Sequence, residues 1–159
     1  MSTNDDKNIY LPYRMTIEKI TLEAPGVRTF RLRFQDPQQG EAFSFRAGQF
    51  GEYSVFGEGE STFCIASSPT RKGYIECTFR QTGRVTTALA KKEQGDTIGF
   101  RGPFGNTFPM EQWEGKNLLF IAGGIALQAL EARGIKVMAH VAQIGGISDL
   151  PMDDMVYRE

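Results

Sequence analysis

The stretch Phe30-Arg31-Leu32-Arg33-Phe34 alternates apolar and cationic residues without a break. A period of two turns one set of side chains to a core and the other to water, which is the pattern of a half-buried strand. The motif recurs around it. Met15, Ile17, Ile20 and Leu22 outline a preceding strand that ends at Ala24-Pro25-Gly26, a turn sequence. Val27 opens the strand that carries the alternation, and Asp36-Pro37-Gln38-Gln39-Gly40 reads as the loop that follows it. Further strands are expected at 50–56, 62–67, 74–81 and 97–101. Six short strands joined by glycine- and proline-bearing turns predict a mainly β fold, a six-stranded antiparallel Greek-key barrel over about residues 10–109. The nine residues before it, MSTNDDKNI, are polar and expected to fray.

One segment within the barrel region reads as helical. After Gly83, Val85, Ala88 and Leu89 have helical spacing, and Lys91 and Lys92 would fall in the last turn, where cations complement the helix dipole. Gly95-Asp96 would end it. The predicted helix spans 85–92.

The pattern changes after Pro109. Residues 117–122, NLLFIA, form a continuous apolar run of the kind a strand covered on both faces carries. Gly123-Gly124, a helical stretch over 125–132 and another apolar run over 135–141 follow, as at the start of a nucleotide-binding βαβ unit. Only 143–159 remain beyond, so residues 110–159 are read as a truncated NAD(P)-binding, Rossmann-like segment and tail.

A length of 159 residues suits one proper core. The net charge of −1 supplies no basic excess for nucleic acid or an anionic membrane. The longest apolar run, 118–127, is too short to span a bilayer, and no secretory leader opens the chain, so a cytoplasmic protein is expected. Cys64 and Cys77 have neither redox-pair nor metal-ligand spacing; Cys77 reads as a small buried thiol. The single histidine, His140, does not make a zinc site alone.

Three short motifs carry the chemistry: STFCIASSP over 61–69, Gly83-Arg84-Val85-Thr86, and Arg101-Gly102-Pro103-Phe104-Gly105-Asn106. Their order and spacing point to a surface that holds a flavin along extended backbone, with its pyrophosphate at the start of a short helix. A glycine lets backbone approach a ligand, and the first free N–H groups of a helix attract an anion. Thr86 and Thr87 offer further hydroxyls. An ordinary helix start, with its threonines on a solvated face, is the alternative for the turn taken alone.

These motifs, with Arg46-Ala47-Gly48-Gln49-Phe50, Gly95-Asp96 and LFIAGGIAL over 119–127, resemble the N-terminal flavin-binding half of the ferredoxin–NADP reductase superfamily. The similarity is greatest to the electron-transfer subunits of the hydrogenase gamma, anaerobic sulfite reductase B and dihydroorotate dehydrogenase type, and covers roughly residues 10–127. It implies FAD as cofactor, NAD(P)H as substrate and an iron–sulfur or hydrogenase/reductase-type partner subunit. It further implies that Ser61, Thr62, Phe63 and Cys64 line the isoalloxazine and reach the ribityl and phosphate. Phe63 would lie against the flavin, and Cys64 would stand where a Ser or Thr hydroxyl usually faces N5. Thr78, Phe79 and Arg80 match the strand beside the ribityl-pyrophosphate, and Gly83, Val85 and Thr86 the phosphate-binding turn. Gly123 and Gly124 match a turn that approaches the nicotinamide phosphate; a plain strand-to-helix turn is the other reading.

The departures matter too. Ser61 replaces an arginine that usually pairs with the pyrophosphate, so Arg80 or Arg84 would have to supply that charge. A thiol at Cys64 donates more weakly than a hydroxyl. Gln128-Ala129 stand where prolines continue the superfamily's second domain, and no cysteine follows Cys77, so no iron–sulfur cluster is expected in this chain. With the second domain incomplete, tight independent NAD(P)H binding is not expected. Two classes of function follow: an FAD-binding electron-transfer oxidoreductase, in which the flavin converts two-electron to one-electron transfer, or a non-catalytic barrel that has lost FAD and serves as an interaction module.

Overall fold

A computed structural model describes residues 8–114. Six strands form one sheet: β1 (Tyr13–Ala24), β2 (Val27–Phe34), β3 (Phe50–Val55), β4 (Gly59–Cys64), β5 (Ile75–Arg80) and β6 (Thr97–Phe104). Two short helices lie between strands, α1 (Pro37–Ala42) and α2 (Arg84–Ala90), and α3 (Met110–Trp113) follows β6. The strand order is β4-β3-β6-β1-β2-β5, every pair antiparallel. The predicted strand at 117–122, the helix at 125–132, the strand at 135–141 and the Gly123-Gly124 turn lie outside the described residues, as does His140.

The alternation read in β2 decides its faces. Phe30 and Leu32 are fully buried while Arg31 and Arg33 lie outward, each in an ion pair: Arg31 with Glu76 at 2.9 Å, Arg33 with Glu18. Met15, Ile17, Tyr53, Val55, Ile65, Ile75, Cys77, Phe79, Leu89, Ile98 and Phe100 complete the core. Aromatic rings run through it, from Phe30 to Phe79 (5.0 Å), Phe63 (5.8 Å), Tyr53 (5.6 Å) and Phe100 (5.1 Å).

The barrel is not closed by a continuous ladder, because β4 and β5 form the two ends of the strand order. They meet beyond β4, where Ala66 N donates to Glu76 O at 2.7 Å and Glu76 N donates to Ser67 Oγ at 3.2 Å. The rings of Phe63 and Phe79 span the same opening from inside.

Several boundaries differ from the sequence reading. The loop expected at 36–40 is the start of α1: Asp36 caps it, accepting from Gln38 N at 2.9 Å, and Pro37 at the first helical position supplies the φ a helix needs. The strand expected at 62–67 begins at Gly59 and ends at Cys64. Glu58 N donates to Val55 O at 2.9 Å, closing a tight hairpin that brings Gly59 into register with Val55. Ile65 then turns away to donate to Gln49 O at 3.1 Å. Helix α2 stops at Ala90, so Lys91 caps it and Lys92 lies beyond, rather than both completing its last turn. β6 runs on to Phe104, pairing with Phe50 in β3.

Candidate functional site

β4 carries its side chains on two faces. Ser61 and Phe63 lie on the side of Tyr53 and Gly51, their cross-strand partners, and Phe63 is half-buried against Tyr53 and Phe79. Thr62 and Cys64 are exposed on the other face, with Thr62 Oγ1 donating to Glu52 Oε1 at 2.7 Å. Phe63 and Cys64 therefore line the same strand from opposite sides. Gly51 opposite Phe63 is demanded by packing: a Cβ there would lie 2.2 Å from the Phe100 ring.

On β5, Cys77 and Phe79 are fully buried, and Arg80 at the strand end is exposed. Burial pushes the Cys77 thiol far above its ordinary range, so it stays a neutral packing group. Thr78 is buried too, its Oγ1 2.7 Å from Thr29 Oγ1 on β2. Tyr53 is also sealed in the core, its hydroxyl without a hydrogen-bond partner; burial raises its phenol well above the ordinary value and removes it from acid–base chemistry.

The turn into α2 follows directly. Thr86 Oγ1 accepts from Gly83 N (2.8 Å) and Thr82 N (3.0 Å) and donates to Gly83 O (3.0 Å). Its hydroxyl is thus engaged in shaping the turn instead of being held out as a donor. Gly83 sits at the N-cap without a side chain, so no side-chain cap covers the start of α2. A Cβ at Gly83 would meet nothing within 4 Å. The space in front of the first helical turn is open.

The fold brings this turn beside β4. A Cβ at Gly59 would lie 3.4 Å from Val85 Cγ2, and Arg84 Nε donates to Glu58 Oε2 at 2.8 Å, tying α2 to the hairpin tip. That contact holds the Glu58 carboxyl below the usual carboxylate range. The Arg80 side chain makes no hydrogen bond or ion pair among the described residues, while its backbone stays in the ladder opposite Val27. Of the two cations weighed against the missing arginine at 61, Arg84 is engaged and Arg80 is not.

Arg101 holds β4 in place from the outer face. It grips both carboxylate oxygens of Glu60 (Nε–Oε1 2.9 Å, Nη2–Oε2 2.6 Å) and donates to Ile9 O at 3.3 Å. This fork lowers the Glu60 pKa. Neither this pair nor Phe56, 57% exposed at the hairpin tip, was singled out in the sequence. The run Phe56-Gly57-Glu58-Gly59 is a turn signal that places an aromatic at a tip, so Phe56 was open to that reading; a pair 41 residues apart was not.

The site therefore assembles an opening between β4 and β5, an uncapped helix start beside it and an exposed arginine at the strand leading in. Among the described residues no three His, Cys, Asp or Glu side chains group as metal ligands, and no helix is long and apolar enough to cross a membrane. The family model described as "Oxidoreductase FAD-binding domain" matches residues 14–108, and the chain belongs to that family.

Among its relatives is the sulfhydrogenase 1 subunit gamma of Pyrococcus furiosus, 38% identical over 148 residues, which covers 93% of this chain and 50% of the relative. The dihydroorotate dehydrogenase B (NAD(+)) electron transfer subunit of Bacillus caldolyticus is 36% identical over 77 residues, covering 43% of this chain and 30% of that subunit. A ferredoxin NADP+ reductase from Neisseria gonorrhoeae, solved with bound FAD and NADP, shares the fold with a TM-score of 0.64 at 22% identity, over 77% of this chain and 50% of that one. The chain spans about half the length of the sulfhydrogenase relative.

Proposed function

We propose that this chain is the FAD-binding part of an electron-transfer oxidoreductase that passes electrons between NAD(P)H and an iron–sulfur partner subunit. The observation that carries the reading is the break in the sheet between β4 and β5. Strand edges expose unpaired backbone N–H and C=O groups that need partners. Here the break lies in an FAD-binding family's fold, beside an uncapped helix start. A flavin ring with its ribityl chain carries hydrogen-bonding atoms along its length and answers that need.

In this reading Ser61, Thr62, Phe63 and Cys64 line the isoalloxazine and ribityl, with Phe63 walling one side through its backing on Tyr53 and Phe79. Thr78, Phe79 and Arg80 border the ribityl and pyrophosphate, and Gly83, Val85 and Thr86 form the pyrophosphate turn. Thr86 shapes this turn and leaves backbone N–H groups of the first helical turn to face the anion. Arg80 supplies the charge that Ser61 does not. Bound FAD would supply the hydride and electron chemistry; the residues position it, and no side-chain acid, base or nucleophile is required.

The relatives' names support a partner subunit of the hydrogenase or dehydrogenase kind, and the composition supports a cytoplasmic setting. Residues 110–159 would begin the NAD(P)-binding segment, with Gly123 and Gly124 near the dinucleotide phosphate.

The second reading, a barrel that has lost FAD, is favoured by Ser61 and by the engagement of Arg84 with Glu58. Visible absorbance of the purified chain after incubation with FAD and desalting separates the two. A retained flavin spectrum that Thr86→Asp abolishes is the expected result. A colourless wild-type protein would make the chain an interaction module.

A further inference from the structure

The sheet has a further unpaired edge, away from the break between β4 and β5. β1 pairs with β2 from Met15 to Ala24, but β6 covers its other side only from Tyr13 to Thr16. Ile17 extends that cover by donating to Asp96 O at 2.9 Å and accepting from Gly95 N at 2.8 Å. Beyond Ile17, no strand among the described residues lies along this side of β1. We propose that a second copy of the chain pairs here, edge to edge, about a two-fold axis at Thr21. The proposal is independent of flavin binding.

The backbone is set for such pairing. Antiparallel strands turn their N–H and C=O groups alternately to the neighbours on either side. On β5 the carbonyl of Glu76 accepts from Ala66 N on the side away from β2, so Cys77 and Phe79 bond towards β2. Their partners Phe30 and Arg28 therefore turn to β5. Ile20 and Leu22, which lie opposite Phe30 and Arg28, turn their backbone groups outward. Unpaired edge groups of this kind are a template for another strand. With Thr21 facing Thr21 of the other copy, Ile20 of each copy lies opposite Leu22 of the other. Each such pair exchanges both of its backbone hydrogen bonds.

The side chains obey the same symmetry. A period of two places Lys19, Thr21 and Glu23 on one face. The two-fold axis sets Lys19 of each copy against Glu23 of the other. Both residues are exposed, and neither makes an ion pair among the described residues. Leu22, 68% exposed, gains Ile20 of the other copy as its apolar neighbour. A lysine on a bare edge normally discourages pairing. Here a glutamate four residues on matches it, but only for a strand running antiparallel in this register. Register shifts against β2 at Ile17/Lys19 and Leu22/Ala24 bound the stretch, which keeps the contact short. A transient dimer is therefore expected, with a dissociation constant of about 10–300 µM.

Sedimentation velocity of the full chain from about 1 µM to about 1 mM tests this, with circular dichroism to show that each variant is folded. Wild type should pass from monomer to dimer across that range. Lys19→Glu brings glutamates together and Glu23→Lys brings lysines together, so each should weaken association roughly tenfold or more. The variant carrying both changes should associate as wild type does, and so should an equimolar mixture of the two single variants. Leu22→Pro removes an outward N–H and none from the β2 ladder, so it should be folded and monomeric. The charge variants, on exposed positions, decide the matter if Leu22→Pro does not fold. A wild type that stays monomeric at about 1 mM would overturn the proposal and leave the edge to another polypeptide. A dimer indifferent to the single charge changes would place the contact elsewhere and overturn it too. Failure of the double change to restore association lost by folded single variants would overturn the two-fold register.

Discussion

Gly83 has φ −138° and ψ −174°, an extended conformation open to any residue, and no neighbour crowds the position. The protein's own packing therefore does not require glycine there; a ligand against the backbone would. Gly83→Ala should leave the flavin-free protein within about 0.5 kcal/mol of wild type, since alanine restricts the unfolded chain but is a poorer N-cap residue than glycine. The same change should weaken FAD about tenfold, read by fluorescence titration beside a denaturant curve. Destabilisation with unchanged affinity would mean the turn is structural only. Arg80 and Arg84 separate by the same logic. Arg80→Ala should weaken FAD about tenfold or more, in line with the roughly 1.5–3 kcal/mol of a charge-assisted hydrogen bond. Arg84→Ala, made together with Glu58→Gln so that no lone carboxylate remains, should cost less than Arg80→Ala. The reverse ranking would assign the pyrophosphate charge to Arg84.

At the scale of elements, α2 is a seven-residue helix whose start depends on one hydroxyl. Thr86 is 7% exposed and satisfies two backbone N–H groups and one carbonyl. Thr86→Val keeps the shape and removes all three bonds, so it should cost about 1–2 kcal/mol in urea unfolding. β4 has a comparable dependence on Arg101. The guanidinium fork lowers the Glu60 pKa, so the pair contributes its stability fully above the usual carboxylate range and loses it as pH falls through the lowered value. Because both side chains are partly exposed, at 17% and 37%, the pair is worth about 1 kcal/mol or less. Wild type should therefore lose its stability advantage over Glu60→Gln as pH drops below about 4. A difference between the two that does not change from pH 7 to pH 3 would show that the fork contributes nothing to folding.

For the whole molecule, the decisive feature is where the sheet fails to close. The order β4-β3-β6-β1-β2-β5 leaves β4 and β5 as facing ends, joined by the Ala66–Glu76 bond and spanned by the rings of Phe63 and Phe79. Phe79 is fully buried between Phe30 and Phe63. Phe79→Ala should cost about 3–5 kcal/mol, the range for a large aromatic removed from a core. Because the lost ring also backs Phe63, flavin affinity should fall in the variant even at temperatures where it stays folded. Full affinity in folded Phe79→Ala would mean that the aromatic backing does not shape the site.

The residue pattern by itself determined the number of strands, the inward face of β2 and the order of the motifs, because period-two alternation and glycine turns are local physics. It also marked 61–64 and 83–86 as the candidate ligand-contacting stretches. It missed α1, where a capping aspartate and a proline make a helix out of a segment rich in turn residues. It misplaced β4 by three residues, because register is set by the hairpin bond to Val55 and not by composition. Only the tertiary structure decided that the hydroxyl of Thr86 is engaged within its own turn, that Glu58 engages Arg84 and leaves Arg80 exposed, and that β4 and β5 face each other across an unpaired gap. Those outcomes depend on which groups meet across tens of residues of sequence, and no local pattern encodes that meeting.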